Sequence, residues 1–305
     1  MTPPVHVGTP PVGTPDWPAA RLGRINGSEI AAVLGISPYE SPFSLWHRKN
    51  GNLGEVAQND VMRWGNLLEP VILEEFGRRH DEFYVTHGGG LWRHHQRGWQ
   101  GGSPDGRLYL QDNHHREQPD ELFEAKTARF DDNWGEEDTD QIPVNYRAQC
   151  LWYLDVFGLK VCRVAVLISG SDYREYRVEH NEAEVAPMRA AARAFLDTLG
   201  GDPPPLDGSE ATYDAVKELS PEVDGHDVDL TAAVAVPYLR ALAEYADASI
   251  EKRRCAAEVI NAMGTAQYAR YSGERIASRV AKGDAAPHLR AANGASDLLR
   301  EATAA

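Results

Sequence analysis

Between residues 28 and 199 the apolar residues switch back and forth between helical and extended spacing, so this stretch must pack helices against a sheet. Ser28 to Leu34 has helical spacing and meets Gly35, a residue type that commonly ends a helix. Residues 61–80 place Val61, Trp64, Leu68, Ile72 and Phe76 on one helical stripe. Short strands follow at 107–110 and 121–126. A helix is expected over 144–157, strands over 160–168 and 173–178, and an Ala-rich helix over 182–199. This order predicts an α+β layer, not a regular βαβ repeat, and no solenoid period is present.

Composition narrows the class. The 305 residues carry 46 acids and 31 bases, a formal charge of −15. That balance speaks against a protein that coats nucleic acid with clustered Lys and Arg, while leaving room for an enzyme with a local basic site. With 42% apolar residues the chain can bury one sizeable core and a smaller second one. No apolar run reaches the roughly 18–20 residues that span a bilayer, and the N-terminus has no secretory pattern, so a cytoplasmic protein without membrane contact is expected. Cys150, Cys162 and Cys255 are scattered, which argues against a disulfide framework and a Cys-x-x-Cys zinc site.

Proline and charge mark the expected boundaries. Pro3, Pro4, Pro10, Pro11, Pro15 and Pro18 predict a mobile tail over 1–20. The folded core is placed at 21–200. Eleven acids against two bases between Asp202 and Asp247, opening on Pro203-Pro204-Pro205, predict an acidic linker over 201–230. Residues 231–305 form a C-terminal extension, with a long helix over 237–263 that turns Leu239, Leu242, Ala246, Ile250 and Val259 inward and a hairpin over 268–280. From Glu251 onward nine bases face six acids, so this is the electropositive end.

The stretch richest in chemistry is Gly101-Gly102-Ser103-Pro104-Asp105-Gly106, followed by Glu124-Ala125-Lys126. Side chains two apart on a strand share a face, so Glu124 and Lys126 project together while Ala125 turns into packing. With Asp105 at the start of the neighbouring strand, two carboxylates and an ammonium converge. Hard oxygen ligands for a divalent cation beside a lysine that orients or deprotonates water are what metal-dependent phosphodiester hydrolysis requires. A Glu-x-Lys tripeptide also commonly marks a solvated strand face with a surface ion pair. Against that stands its frame of Leu122, Phe123 and Ala125. Lys126 is also the only one of six lysines with a Glu two residues before it.

Pro104-Asp105 with Glu124-x-Lys126 resembles the PD-(D/E)xK nuclease signature, and Gln149-Cys150-Leu151-Trp152-Tyr153 resembles the Gln-x-x-x-Tyr motif of its exonuclease branches. Arg21-Leu22-Gly23-Arg24-Ile25-Asn26-Gly27-Ser28-Glu29-Ile30, Ser37-Pro38-Tyr39, Leu45-Trp46 and Gly65-Asn66-Leu67-Leu68-Glu69-Pro70 extend the likeness to the YqaJ-type viral recombinase, or phage lambda exonuclease, family over about residues 21–200. The resemblance implies a restriction-endonuclease-like core, a central mixed sheet flanked by helices, with a C-terminal helical extension. It implies a Mg²⁺-dependent, or alternatively Mn²⁺-dependent, 5′-to-3′ exonuclease acting on double-stranded DNA ends. The products would be mononucleotides and a 3′ overhang for phage-type single-strand annealing. It further implies a ring-shaped homo-oligomer and a phage-encoded annealing protein as partner. Asp105, Glu124, the Ala125 carbonyl and Glu69 would hold the ion. Lys126 would be the catalytic lysine, Gln149 and Tyr153 would position substrate or water, and Arg21, Ser28 and Ser103 would bind the 5′-phosphate.

Each assignment has an ordinary structural counterpart. Pro70 disfavours helical geometry at Glu69 and points to a kink. Gln149 could solvate a helix face, Tyr153 could be core, Ser28 could cap a helix, and Arg24 competes with Arg21. His94-His95 and His114-His115 are adjacent pairs without zinc spacing and read as surface histidines. No phosphate-binding Gly-x-x-x-x-Gly-Lys loop or Gly-x-Ser-x-Gly elbow occurs. Two alternatives stay beside the exonuclease: an endonuclease of the same fold, of restriction or junction-resolving type, and a non-catalytic DNA-end-binding recombination partner.

Overall fold

The computed structural model describes residues 2–10, 14, 16–113, 116–281, 283, 285–296 and 298–299. The chain divides into two compact units, Met1–Glu222 and Val223–Ala305. His114 and His115 lie outside the described residues. In chain order the first unit contains β1 (Val5–Gly8), α1 (Asp16–Arg21), α2 (Gly27–Val33), α3 (Pro42–Lys49), α4 (Asp60–Arg79), β2 (Phe83–His87), β3 (Leu91–Arg93) and β4 (Gly101–Gly102). It continues with β5 (Gly106–Leu110), β6 (Glu121–Ala128), α5 (Val144–Phe157), β7 (Val161–Ile168), β8 (Asp172–Glu179), α6 (Glu182–Thr198) and α7 (Glu210–Leu219). The second unit holds α8 (Ala232–Met263), β9 (Tyr268–Tyr271), β10 (Glu274–Val280) and β11 (His288–Ala291).

The central sheet has the order β2-β5-β6-β7-β8, with β6 and β7 parallel and the other pairs antiparallel. This is the expected α+β arrangement of a mixed sheet between helices. Strand alternation on β6 explains how both sides are filled. Phe123 and Ala125 join Ile72, Leu73 and Phe76 of α4 in one apolar cluster. Leu122 joins Leu151, Trp152 and Phe157 of α5 in the other. The buried indole N–H of Trp152 donates to the carbonyls of Ile25 and Gly101, both at 3.1 Å, and so ties α5 to the segments before α2 and at β4.

Several expectations change. The proline-rich tail supplies an edge strand: Val5 pairs with Arg93, His6 with Trp92 and Gly8 with Leu91. Pro3, Pro4 and Pro10 bracket this strand without interrupting it, and an edge strand needs hydrogen bonds on one side only. Pro18 falls in the first turn of α1, where its missing N–H costs no helical bond. The expected acidic linker contains α7, capped by Ser209, whose hydroxyl accepts from the Thr212 amide at 3.1 Å. Ala215 packs with Phe43 and Leu53, and Thr212 donates to the Ser41 hydroxyl at 2.7 Å, so α7 belongs to the first unit.

Helix α4 continues through Pro70, so Glu69 keeps helical geometry. Its expected apolar stripe is buried only from Ile72 onward; Val61 and Trp64 are exposed. In the second unit the hairpin gains a third strand, with order β11-β10-β9. The residues of α8 expected inward are not buried, and Leu239, Leu242 and Ile250 are exposed.

Gly27 and Gly102 approach the Tyr153 ring too closely for any other residue type. A Cβ on Gly27 would collide with the Tyr153 ring, and one on Gly102 would lie 2.8 Å from Tyr153 Cδ1. Gly27→Ala is expected to destabilise the fold by about 1–3 kcal/mol through overpacking, read as a lowered Tm, whereas Gly23→Ala, where a Cβ meets open space, should leave Tm near the wild-type value.

Candidate active site

The site grows from strand alternation on β6. Glu124 and Lys126 share the face covered by α5, and the Lys126 ammonium lies 2.5 Å from Glu124 Oε1. Glu124 is 1% exposed. Asp105 immediately precedes β5, the antiparallel neighbour of β6, and its Oδ2 accepts the Ala125 amide at 2.8 Å. The amide nitrogen of Gln149 donates to Glu124 Oε1 at 2.6 Å and to the Tyr153 hydroxyl at 2.9 Å. The i, i+4 spacing of Gln149 and Tyr153 on α5 sets this alignment. Glu124 Oε2 is buried without a hydrogen-bond partner.

Electrostatics link these groups. Burial, reinforced by Asp105, pushes the Glu124 carboxyl up to about 8. Burial and the Asp105 charge push Glu69, on α4, up to about 7. Asp105 is also raised by burial, against Lys126 and its bond from Ala125. Lys126 is moved above its usual range: desolvation opposes its charge, but Glu124 and Asp105 outweigh it. The cluster is therefore three carboxyls that resist full ionisation around one firmly charged ammonium.

The three expected phosphate-binding residues are brought to one region by a parallel bridge between Ile25 and Gln100 and by the Gly101 amide donating to the Ile25 carbonyl at 2.9 Å. Arg21 donates to the Ser28 hydroxyl at 2.8 Å and to Glu29 at 3.2 Å. Ser28 is exposed in the first turn of α2, whose N-cap is Asn26. Ser103 follows β4. Arg24 turns back to the Ala20 carbonyl at 2.6 Å. Tyr153 lies against Gly27 and Gly102, the residues preceding Ser28 and Ser103, and so connects the carboxylate cluster to this region.

Some members escaped the sequence reading. Glu29 receives Arg21, the Lys49 ammonium at 3.0 Å and the Asn26 amide at 2.9 Å. Burial raises its carboxyl, but the two cations and this amide together hold it below the ordinary range. Asn26-x-x-Glu29 ahead of Ile30 was the available signal. Tyr146, one turn before Gln149 on α5, carries the Lys126 ammonium 5.0 Å from its ring centre, and its hydroxyl lies 3.2 Å from that of Tyr39. Its spacing of three from Gln149 could have revealed it.

Asp155, His180 and Glu182 also place potential ligand atoms within 4.8 Å of one another. Both Asp155 oxygens are already engaged, by Arg97 at 2.8 Å and Gln100 at 2.7 Å on one and Arg189 at 2.8 Å on the other. Guanidinium groups fill the place of a cation there. His94 is buried, not at the surface; its Nδ1 accepts the Gln96 and Arg97 amides, and burial with Arg97 lowers it to about 4.

The first unit is built on a mixed five-stranded sheet flanked by helices. Residues 16–160 match the YqaJ-like viral recombinase domain. The protein YqaJ of Bacillus subtilis (strain 168) is 28% identical over 224 residues, 72% of this chain and 67% of that one. Among solved structures, an alkaline exonuclease, LHK-Exo, from Laribacter hongkongensis aligns with TM-score 0.47 and 23% identity over 61% of this chain and 92% of that chain. A phage-related exonuclease from Haemophilus somnus 129PT aligns with TM-score 0.42 and 11% identity over 58% and 94% respectively. No helix among the described residues is long and apolar enough to cross a membrane.

In chelator, Glu69 and Glu124 hold protons in the folded state above the ordinary carboxyl range, so their contribution favours folding at low pH and is lost as pH rises from about 4.3 towards 8. Glu69→Gln is expected to flatten that decline by about 1–2 kcal/mol, the partial exposure of Glu69 reducing the full linkage value. Denaturant titrations at pH 5 and pH 8 measure the difference.

Proposed function

We propose that the chain is a divalent-metal-dependent exonuclease, with Mg²⁺ or Mn²⁺ as the ion, that enters at duplex DNA ends and degrades one strand from its 5′ end. It releases mononucleotides and leaves a 3′ overhang for strand annealing in phage-type recombination. The observation that carries this reading is the bare, buried Glu124 Oε2 beside Asp105 and Lys126. An apolar core does not leave a carboxylate oxygen unpaired without cost, and hard oxygen donors in this number fit a small divalent cation.

Glu124, Asp105, Glu69 and the Ala125 carbonyl would hold the ion. When bound, it supplies charge neutralisation at the scissile phosphate and lowers the pKa of water. Lys126, kept charged by its carboxylate neighbours, stabilises negative charge developing on the phosphate and orients water, in preference to removing its proton. Gln149 holds Glu124 and Tyr153 in register, and Tyr146 carries the ammonium over its ring. Arg21, Ser28 and Ser103 grip the terminal 5′-phosphate; Arg21 is prepositioned by Glu29. The family's ring-shaped homo-oligomer and annealing-protein partner complete the reading. Exposed apolar residues along α4, Trp64, Leu67 and Val71 among them, support a subunit contact.

Incubation of linear and covalently closed duplex with Mg²⁺ tests the reading. Linear DNA bearing a 5′-phosphate should yield mononucleotides from the 5′ end, while circles stay intact; cutting of circles would establish the endonuclease instead. Glu124→Gln and Lys126→Ala should each lower turnover about a thousandfold, equivalent to roughly 4 kcal/mol of transition-state stabilisation. Unchanged turnover in both would leave a DNA-end clamp. Because protons leave Glu69 and Glu124 only near pH 7 and 8, the Mg²⁺ concentration giving half-maximal rate should fall as pH rises from 6 to 9.

A further inference from the structure

In the first unit arginines are commonly tied to carboxylates, as Arg21, Arg48, Arg97, Arg147 and Arg163 show. The sheet of the second unit departs from this. Arg270, Arg275, Arg279 and Arg290 make no ion pair among the described residues; Arg270 and Arg279 donate instead to the carbonyls of Gly273 and Gly264. Residues 264–293 carry five bases against two acids, within a chain of charge −15.

Strand register gathers three of these cations, Arg270, Arg275 and Arg290, on one face. Ser278 of β10 pairs with Tyr268 of β9 and with Arg290 of β11, and Arg275 pairs with Arg270. Cross-strand partners point to the same side of a sheet. The bulge between Arg275 and Ala277 returns Arg275 to the side of Ser278, and Arg275, Ser278 and Arg290 line one cleft of about 440 Å³. Glu274 stands at the same cleft as its single carboxylate. Tyr268 is 49% exposed, and the Arg275 guanidinium lies 5.4 Å from its ring centre.

We propose that this face, formed by Tyr268, Arg270, Arg275, Ser278 and Arg290, binds single-stranded DNA. Unpaired guanidinium groups on an exposed sheet match a phosphate backbone, and an exposed aromatic ring among them offers a platform for an unstacked base. The sheet is three strands wide, roughly 10–15 Å, which suits one strand better than a duplex. The choice of DNA rests on the nuclease reading of the first unit; the charge and ring placement do not.

The test is fluorescence anisotropy of the full chain with a labelled oligo-dT and with a blunt duplex, in chelator so that nothing is hydrolysed. Arg275→Ala/Arg290→Ala should weaken oligo-dT binding at least tenfold and reduce the salt slope by roughly 1.4, two phosphate contacts being lost. Tyr268→Leu should weaken it about tenfold with the slope unchanged. Arg275→Lys/Arg290→Lys should keep the slope, and Arg193→Ala, which removes a surface arginine of the first unit, should change nothing. If the alanine pair melts early, Arg290→Glu alone replaces it, with the same expected loss. Wild-type oligo-dT binding by the alanine pair, or by Arg290→Glu where the pair does not fold, would overturn the proposal, and an equal loss on blunt duplex would overturn the single-strand assignment. If the wild type hydrolyses no DNA in Mg²⁺ while the arginine variants still lose oligo-dT, the nuclease reading falls and this one stands.

Discussion

A carboxylate driven into the apolar layer between β6 and α5 sets the terms for the rest of the first unit. Glu124 is nearly inaccessible to water, yet only one of its oxygens is satisfied, by Lys126 and Gln149. Such an arrangement holds together only because the surroundings supply compensating positive charge and fixed dipoles. Asp105 is tethered by a backbone amide so that it cannot swing away, and Lys126 is held by charge on one side and an aromatic ring on the other. The mixed sheet delivers these groups from adjacent strands, and the apolar clusters on both faces keep the strands in register.

Much of this was legible in the residues. The period-two placement of Glu124 and Lys126, the burial of Ala125 and the helical register of Gln149 and Tyr153 follow from local geometry, and each lies as strand or helix spacing requires. What was not legible depends on partners distant in sequence. Val5–Gly8 is a strand because β3 offers an edge, and nothing local announces that. Helix α7 packs because Phe43 and Leu53 wait for Ala215, although its acidic composition reads as linker. Conversely, Leu239, Leu242 and Ile250 of α8 looked inward by periodicity and are exposed, since amphipathic spacing states which face can be buried, not what buries it. Glu29 and Tyr146 were missed because their contribution lies in whom they hold.

The two units treat charge differently. Asp155, at the end of α5, absorbs two guanidinium groups and a side-chain amide, and Arg147 bridges Asp140 and Glu184. These contacts fix α5 against its neighbours, which matters because α5 carries three residues of the site. In the sheet of the second unit, Arg270, Arg275, Arg279 and Arg290 make no ion pair among the described residues, and Arg275 and Arg290 line an open cleft. An acidic chain thus confines its available cations to a few places, and nonspecific adhesion to polyanions elsewhere is suppressed by repulsion.

The Tyr153 ring, laid against the bare backbones of Gly27 and Gly102, has an implication for how this sequence can drift over time. Any side chain appearing at position 27 or 102 requires a smaller residue at 153, and loss of the ring opens a void that only bulk at those glycines could fill. Positions 27, 102 and 153 should therefore change in concert among relatives or not at all, a pattern of covariation that steric exclusion alone would produce.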